Sequence, residues 1–212
     1  MTAGAARTKM IIDCDPGHDD AVAILYAARR LDLLGLTVCH GNNTLDHCTR
    51  NALAVVELAG LDIPVAKGCA DPLAGPKVLR ENSHGRTGMD GTDLPEPRRG
   101  VIDAHAVDFL IETARAHRGE LVLAQIGPAT NVALALRKEP RLASWLREIS
   151  IMGGSTTLGN ITPAAEYNVW CDPEAAAVVL GCGAPIRMVG YNVTSVTGAT
   201  RHDIDRLRAG PK

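Results

Sequence analysis

The chain has 212 residues, enough for one domain with a sizeable buried core. Hydrophobic residues make up 46% and charged residues 22%, and acids and bases are interspersed to a net charge of −2. That balance argues against a surface tracking nucleic acid or an anionic membrane, and no run of about 18 apolar residues offers a transmembrane helix.

Residues 1–8 are small and polar and read as a flexible leader to a domain over 9–212. They do not read as a signal peptide, because the apolar stretch that follows is cut short by Asp13 and Asp15. Residues 10–12 predict a buried strand running into Asp13. Residues 21–30 have helical apolar spacing, with Asp19 and Asp20 placed to suit a helix N-terminal dipole. A second strand over 34–39, a helix over 46–59 closed by Gly60, and a third strand over 63–66 follow. Residues 68–100 break the rhythm with Gly, Pro, Asp and Arg, a length of loop that is either functional or disordered.

Alternation then resumes, with a helix over 101–116, a strand over 120–126, a helix over 129–136 and a strand over 149–152. A helix over 173–180 opens on a proline, and a strand over 186–189 and a helical piece over 201–208 complete the series. Strands alternating with helices predict an α/β fold, an open doubly wound, mostly parallel sheet with helices on both faces. The six cysteines lack the CxxC spacing of a zinc site and read as reduced, structural thiols of a cytoplasmic protein.

Ligands of such sheets bind beyond the carboxyl ends of the strands, which draws attention to Asp13-Cys14-Asp15-Pro16-Gly17-His18-Asp19-Asp20. Four carboxylates in eight residues repel one another and raise one another's pKa. A hard divalent cation with oxygen ligands resolves the conflict, and a turn at Pro16-Gly17 lets Asp15 and Asp20 face one ion from two sides. A solvated turn with a helix cap accounts for one or two of these acids but not for four. An apolar strand ending in Asp-x-Asp also opens the magnesium-dependent phosphatases of the haloacid dehalogenase type. Those usually carry Thr or Val where this chain has Gly17, and they leave Asp19 and Asp20 unexplained.

Together with Ala21, the segment resembles the DxDPGxDDA signature of the inosine–uridine-preferring nucleoside hydrolases. Further similarities follow in the family's order: His40-Gly41-Asn42, His84-Gly85 with Gly88, Gly127-Pro128-Ala129-Thr130-Asn131, Met152-Gly153-Gly154, then Asn160, Glu166, Tyr167 and Asn168, and Asp172-Pro173-Glu174-Ala175. They run from about residue 9 to about residue 200, and the HGxxG-like element favours function for residues 68–100.

The resemblance implies cleavage of ribonucleosides to ribose and free base in purine and pyrimidine salvage, with Ca²⁺ as cofactor and a homo-oligomeric assembly. It makes Asp15 the general base for a metal-bound water. Asp15, Asp20 and the backbone carbonyl of Ile126 become calcium ligands. Asp19 and Asn168 hold ribose hydroxyls with Asn42 close by, and Asn160 and Glu166 grip the 5′-hydroxyl. Asp13 takes a supporting position, and His84 lies near the base or leaving group. A binding protein that keeps the ribose contacts without turnover is the alternative reading. Family members are longer and carry a C-terminal His-Asp pair. The pair His202-Asp203 lies in a charged segment with no apolar strand before it and reads as a helix start. The expectation is therefore the N-terminal portion of the fold, with little hydrolase activity in these 212 residues and no base preference legible.

Overall fold

The computed structural model describes residues 6–77 and 81–210, so most of the expected leader and residues 78–80 of the long loop lie outside the described residues. Six strands form one sheet among the described residues: β1 (Lys9–Cys14), β2 (Asp32–Val38), β3 (Val65–Lys67), β4 (Val122–Gln125), β5 (Glu148–Met152) and β6 (Ile186–Val189). Their order is β3-β2-β1-β4-β5-β6, and every neighbouring pair is parallel.

Helices α1 (His18–Arg30) and α2 (Leu45–Leu58) follow β1 and β2. The short α3 (Glu81–His84) lies in the long loop, and α4 (Ala106–Ala116), α5 (Thr130–Lys138) and α6 (Leu142–Trp145) flank β4. Last come α7 (Tyr167–Cys171), α8 (Pro173–Leu180), α9 (Tyr191–Thr194) and α10 (Arg201–Ala209). The sheet is covered on both faces, and the two-residue period of β1 shows it. Ile11 packs with Leu110, Val132 and Val179 from α4, α5 and α8, while its neighbour Ile12 packs with Ile24 and Val55 from α1 and α2. Burying a side chain of that size is worth roughly 1.5–3 kcal/mol, so each face is anchored through the central strand.

The helix starts follow from their residues. Asp19 and Asp20 lie in the first turn of α1 and Arg29 and Arg30 in its last, matching the helix dipole at both ends. Thr44 caps α2 by accepting from the His47 N–H at 3.3 Å. Pro173 opens α8, where a missing N–H costs nothing, behind the cap Asp172. His202 and Asp203 sit in the first turn of α10, where Asp203 accepts from the Thr200 N–H at 2.9 Å.

One expected boundary is corrected. The helix expected from residue 101 begins at Ala106, because His105 turns its ring back to accept from the Val107 N–H at 3.3 Å. The six cysteines are free thiols, with Cys14, Cys39, Cys48 and Cys171 buried. No helix of the described residues is long and apolar enough to cross a membrane.

Candidate active site

The chain departs from β1 to β2 on one side and to β4 on the other, and at that switch point the strand ends open into a crevice. The cleft there has a volume of about 480 Å³. Its floor is the turn after β1. The backbone N–H of Asn42 donates to Oδ2 of Asp15 at 2.6 Å, and the Asn42 amide donates to the Asp15 carbonyl at 3.1 Å and to Oδ2 of Asp20 at 3.4 Å. The Gly17 N–H also donates to Oδ2 of Asp20 at 3.1 Å. Gly41 and Gly127 enclose the Asp15 carboxylate so closely that a Cβ on either would overlap it. That close approach gives both glycine-bearing strand ends their physical reason.

Burial dominates the electrostatics of this floor. Asp15 is 1% exposed, and loss of water, followed by the charge of Asp20, raises its pKa well above the usual carboxylate value. Asp20 is raised to about 7, first by burial and then by the charge of Asp19. Its Oδ1 is buried without a hydrogen-bond partner. Asp13 lies beneath the floor and outside the cleft lining, also raised to about 7 by burial. Thr37 and the Asn131 amide donate to its Oδ1 at 2.6 and 2.8 Å, while its Oδ2 has no partner.

The opposite wall is built by the segment leading into α7. Glu166 caps this helix: its carboxylate accepts the N–H groups of Asn168 at 3.0 Å, Val169 at 3.2 Å and Gly154 at 2.8 Å. Asn160 accepts from the Tyr167 N–H at 2.9 Å, which folds its loop against the same helix. The Asn168 amide donates to the carbonyls of Ile126 at 2.9 Å and Met152 at 3.1 Å, tying the wall to the ends of β4 and β5. At the rim, Asp19 is largely exposed, with one carboxylate oxygen 3.7 Å from Nε2 of His84.

Every site residue proposed from the sequence therefore meets at this cleft except Asp13, which supports its floor. The sequence reading quoted Asn131 in a family turn without giving it a role and passed over Thr37, which with Asn131 holds Asp13, and Tyr191, Thr194 and Thr197, which also line the cleft. Tyr191 lies two residues beyond the end of β6, so the rule that ligands sit beyond strand ends was a usable signal for it.

The floor suits a hard cation. Two buried acids with mutual repulsion and one unmatched carboxylate oxygen are chemistry that a divalent ion satisfies, and the Ile126 carbonyl lines the same cleft. Among the described residues no group of three His, Cys, Asp or Glu side chains is arranged around one point. The chain thus offers two carboxylates and a carbonyl toward the roughly six to eight oxygens that calcium takes.

The sequence model of the inosine-uridine preferring nucleoside hydrolase family matches residues 10–212. The pyrimidine-specific ribonucleoside hydrolase RihB of Escherichia coli is 42% identical over 207 residues, covering 96% of this chain and 66% of the relative. The chain thus spans slightly less than two thirds of the length of that curated relative. Among solved structures, a plant nucleoside hydrolase, PpNRh1, superposes with a TM-score of 0.90 at 39% identity, over 95% of this chain and 65% of its own. A purine-preferring ribonucleoside hydrolase from Gardnerella vaginalis gives a TM-score of 0.91 at 33% identity, over 95% and 66%.

Proposed function

Because the chain belongs to the inosine-uridine preferring nucleoside hydrolase family, we propose that it cleaves the N-glycosidic bond of ribonucleosides, releasing ribose and free base, with calcium held by Asp15, Asp20 and the Ile126 carbonyl. The observation that carries this reading is the buried pair Asp15 and Asp20, joined through Asn42, with one Asp20 oxygen left unmatched. Calcium, when bound, supplies a positive charge that offsets the two carboxylates and acidifies water beside them.

The remaining work falls to the chain's own side chains. Asp15 accepts the proton of the water that attacks the anomeric carbon, and the bonding pair of the N-glycosidic bond leaves with the base. Asp19 and Asn168 hold ribose hydroxyls with Asn42 beside them, while Asn160 and Glu166 take the 5′-hydroxyl. Cleavage places oxocarbenium-like positive charge on the sugar, and a pocket dense in Asp, Glu and Asn oxygens stabilises that charge. Burying a bonded hydroxyl also rejects analogues that lack it, so recognition of ribose is strict. The names of the relatives divide between pyrimidine-specific and purine-preferring, so they point to no single base for this chain. Six free thiols fit a reducing, cytoplasmic setting.

Calorimetry tests the reading, with calcium titrated first and ribose or nucleoside second, beside an assay for released ribose. Calcium binds the wild-type protein, ribose binds more tightly in its presence, and Asp20→Asn loses both effects. Calcium affinity unchanged by Asp20→Asn would overturn the assignment.

A further inference from the structure

Asp15 is held by a peptide group, and that peptide group is itself held from the opposite wall. Gly41 and Asn42 share one peptide unit in the turn after β2. Its N–H, on Asn42, donates to Oδ2 of Asp15 at 2.6 Å, and its carbonyl, on Gly41, accepts from the Tyr167 hydroxyl at 2.7 Å. The unit is trans, so its N–H and C=O point in opposite directions and the two bonds pin it from both sides. Residue 41 has no side chain of its own to brace the peptide, because a Cβ there would overlap Oδ2 of Asp15.

Tyr167 is fixed before it reaches across. It opens α7 behind the cap Glu166, is 4% exposed, and donates its N–H to Oδ1 of Asn160 at 2.9 Å. The ring lies 6.5 Å from that of Trp170, centroid to centroid, at 32°. The Cys171 thiol, one helical turn on, is a further hydrogen-bond partner of the same hydroxyl. A carbonyl only accepts, so the hydroxyl proton lies on the bond to Gly41 and the thiol donates in turn. The phenol thus ties the wall proposed for the sugar to the floor that bears Asp15, across 126 residues of sequence.

Resting on the hydrolase reading, we propose that Tyr167 is a positioning residue for Asp15, acting through the Gly41–Asn42 peptide. Its hydroxyl fixes the plane of that peptide and draws electron density onto the Gly41 oxygen, which strengthens the N–H that holds the carboxylate. With one oxygen held in this way, Asp15 keeps a single orientation toward the attacking water. No contact with ribose is asked of the hydroxyl.

Proton–nitrogen NMR of the calcium-free protein reads the peptide without turnover. In the wild-type protein the Asn42 amide proton lies downfield, as a short bond to a carboxylate requires. In Tyr167→Phe, which keeps the buried ring and unfolds cooperatively in urea, that proton moves upfield and exchanges faster with solvent. 3-Fluorotyrosine at position 167, a stronger donor of nearly the same shape, moves it further downfield. Kinetics at saturating calcium reads the consequence. Tyr167→Phe lowers kcat on inosine by about fivefold or more and leaves KM within about twofold, as a misaimed base requires. An Asn42 amide indifferent to both replacements would overturn the relay. A raised KM with kcat unchanged, or a loss of stability alone, would overturn the positioning role. Absence of ribose release by the wild-type protein refutes the hydrolase reading instead, and the amide signal still decides whether Tyr167 governs the peptide.

Discussion

Two groups of buried acids flank the cleft, and the fold treats them in opposite ways. On the α7–α8 side, Glu166 accepts three backbone N–H groups. Asp172 accepts from the N–H groups of Ala175 at 3.0 Å and Leu73 at 2.9 Å and from the Thr130 hydroxyl at 2.6 Å. On the β1 side, Asp13 and Asp20 each keep one buried oxygen without a partner, and burial raises both to about 7. Backbone donors at helix starts turn a buried carboxylate into a structural clamp. A carboxylate left short of donors beside another acid is instead prepared for a positive charge from outside the chain.

Removing a clamp is the strongest way to break this contrast. Asp172→Ala strips the cap of α8 and the bonds to Thr130 and Leu73 together, and is expected to cost roughly 2–4 kcal/mol in urea unfolding with calcium affinity unchanged. Replacing an acid of the β1 group acts in reverse. Asp20→Asn keeps an oxygen to accept from the Gly17 N–H while removing a buried charge, and is expected to raise calcium-free stability at pH 8 by about 1–3 kcal/mol. The same variant forfeits the stabilisation that calcium gives the wild-type protein, about 2.7 kcal/mol at one hundred times Kd. Thermal unfolding with and without the ion measures both effects.

The dependence on pH sharpens the contrast further. Asp13 and Asp20 move from 3.8 to about 7, so the native chain binds more protons than the unfolded chain between those values. Their contribution to stability is complete below about pH 4 and is lost as the pH rises through 7. His40, lowered from 6.5 to about 4 by burial, works in the opposite sense: stability is lost as the pH falls through that window. Subtracting wild-type from Asp20→Asn stability, both without calcium, cancels the His40 contribution. The difference grows from pH 4 to pH 7.5, whereas a flat difference would remove Asp20 from the account. The smallest effect is expected at the exposed pair in α10, where His202→Ala and Asp203→Asn leave calcium binding and turnover unchanged.

The parts legible in the sequence were those with a repeating physical signal. Strand and helix periods placed all six strands and the longer helices, and the acid run after β1 marked the cleft floor. Helices α3, α6, α7 and α9, of four or five residues, were missed because one turn is too short to show a period. The start of α4 was misplaced because a histidine cap lies outside the usual Ser, Thr, Asp and Asn signals. The sequence marked Asp15 and Asp20 for a cation but gave no sign that Asp172 is a clamp, since its neighbours show only a helix start at Pro173. Only the donor count separates Asp172 from Asp20, and those donors come from residues distant in sequence, such as Leu73 and Thr130.

The central claim is that the β1 acids perform chemistry on a ribonucleoside, and Asp15 carries its greatest weight. Single-turnover release of ribose from inosine and uridine, with calcium saturating and protein in excess, compares the wild-type chain with Asp15→Asn most directly. Chelator-sensitive release that falls by about 10³-fold in the variant, with sugar binding retained, is the predicted result. Equal rates from the two proteins, or release indifferent to a chelator, would contradict it.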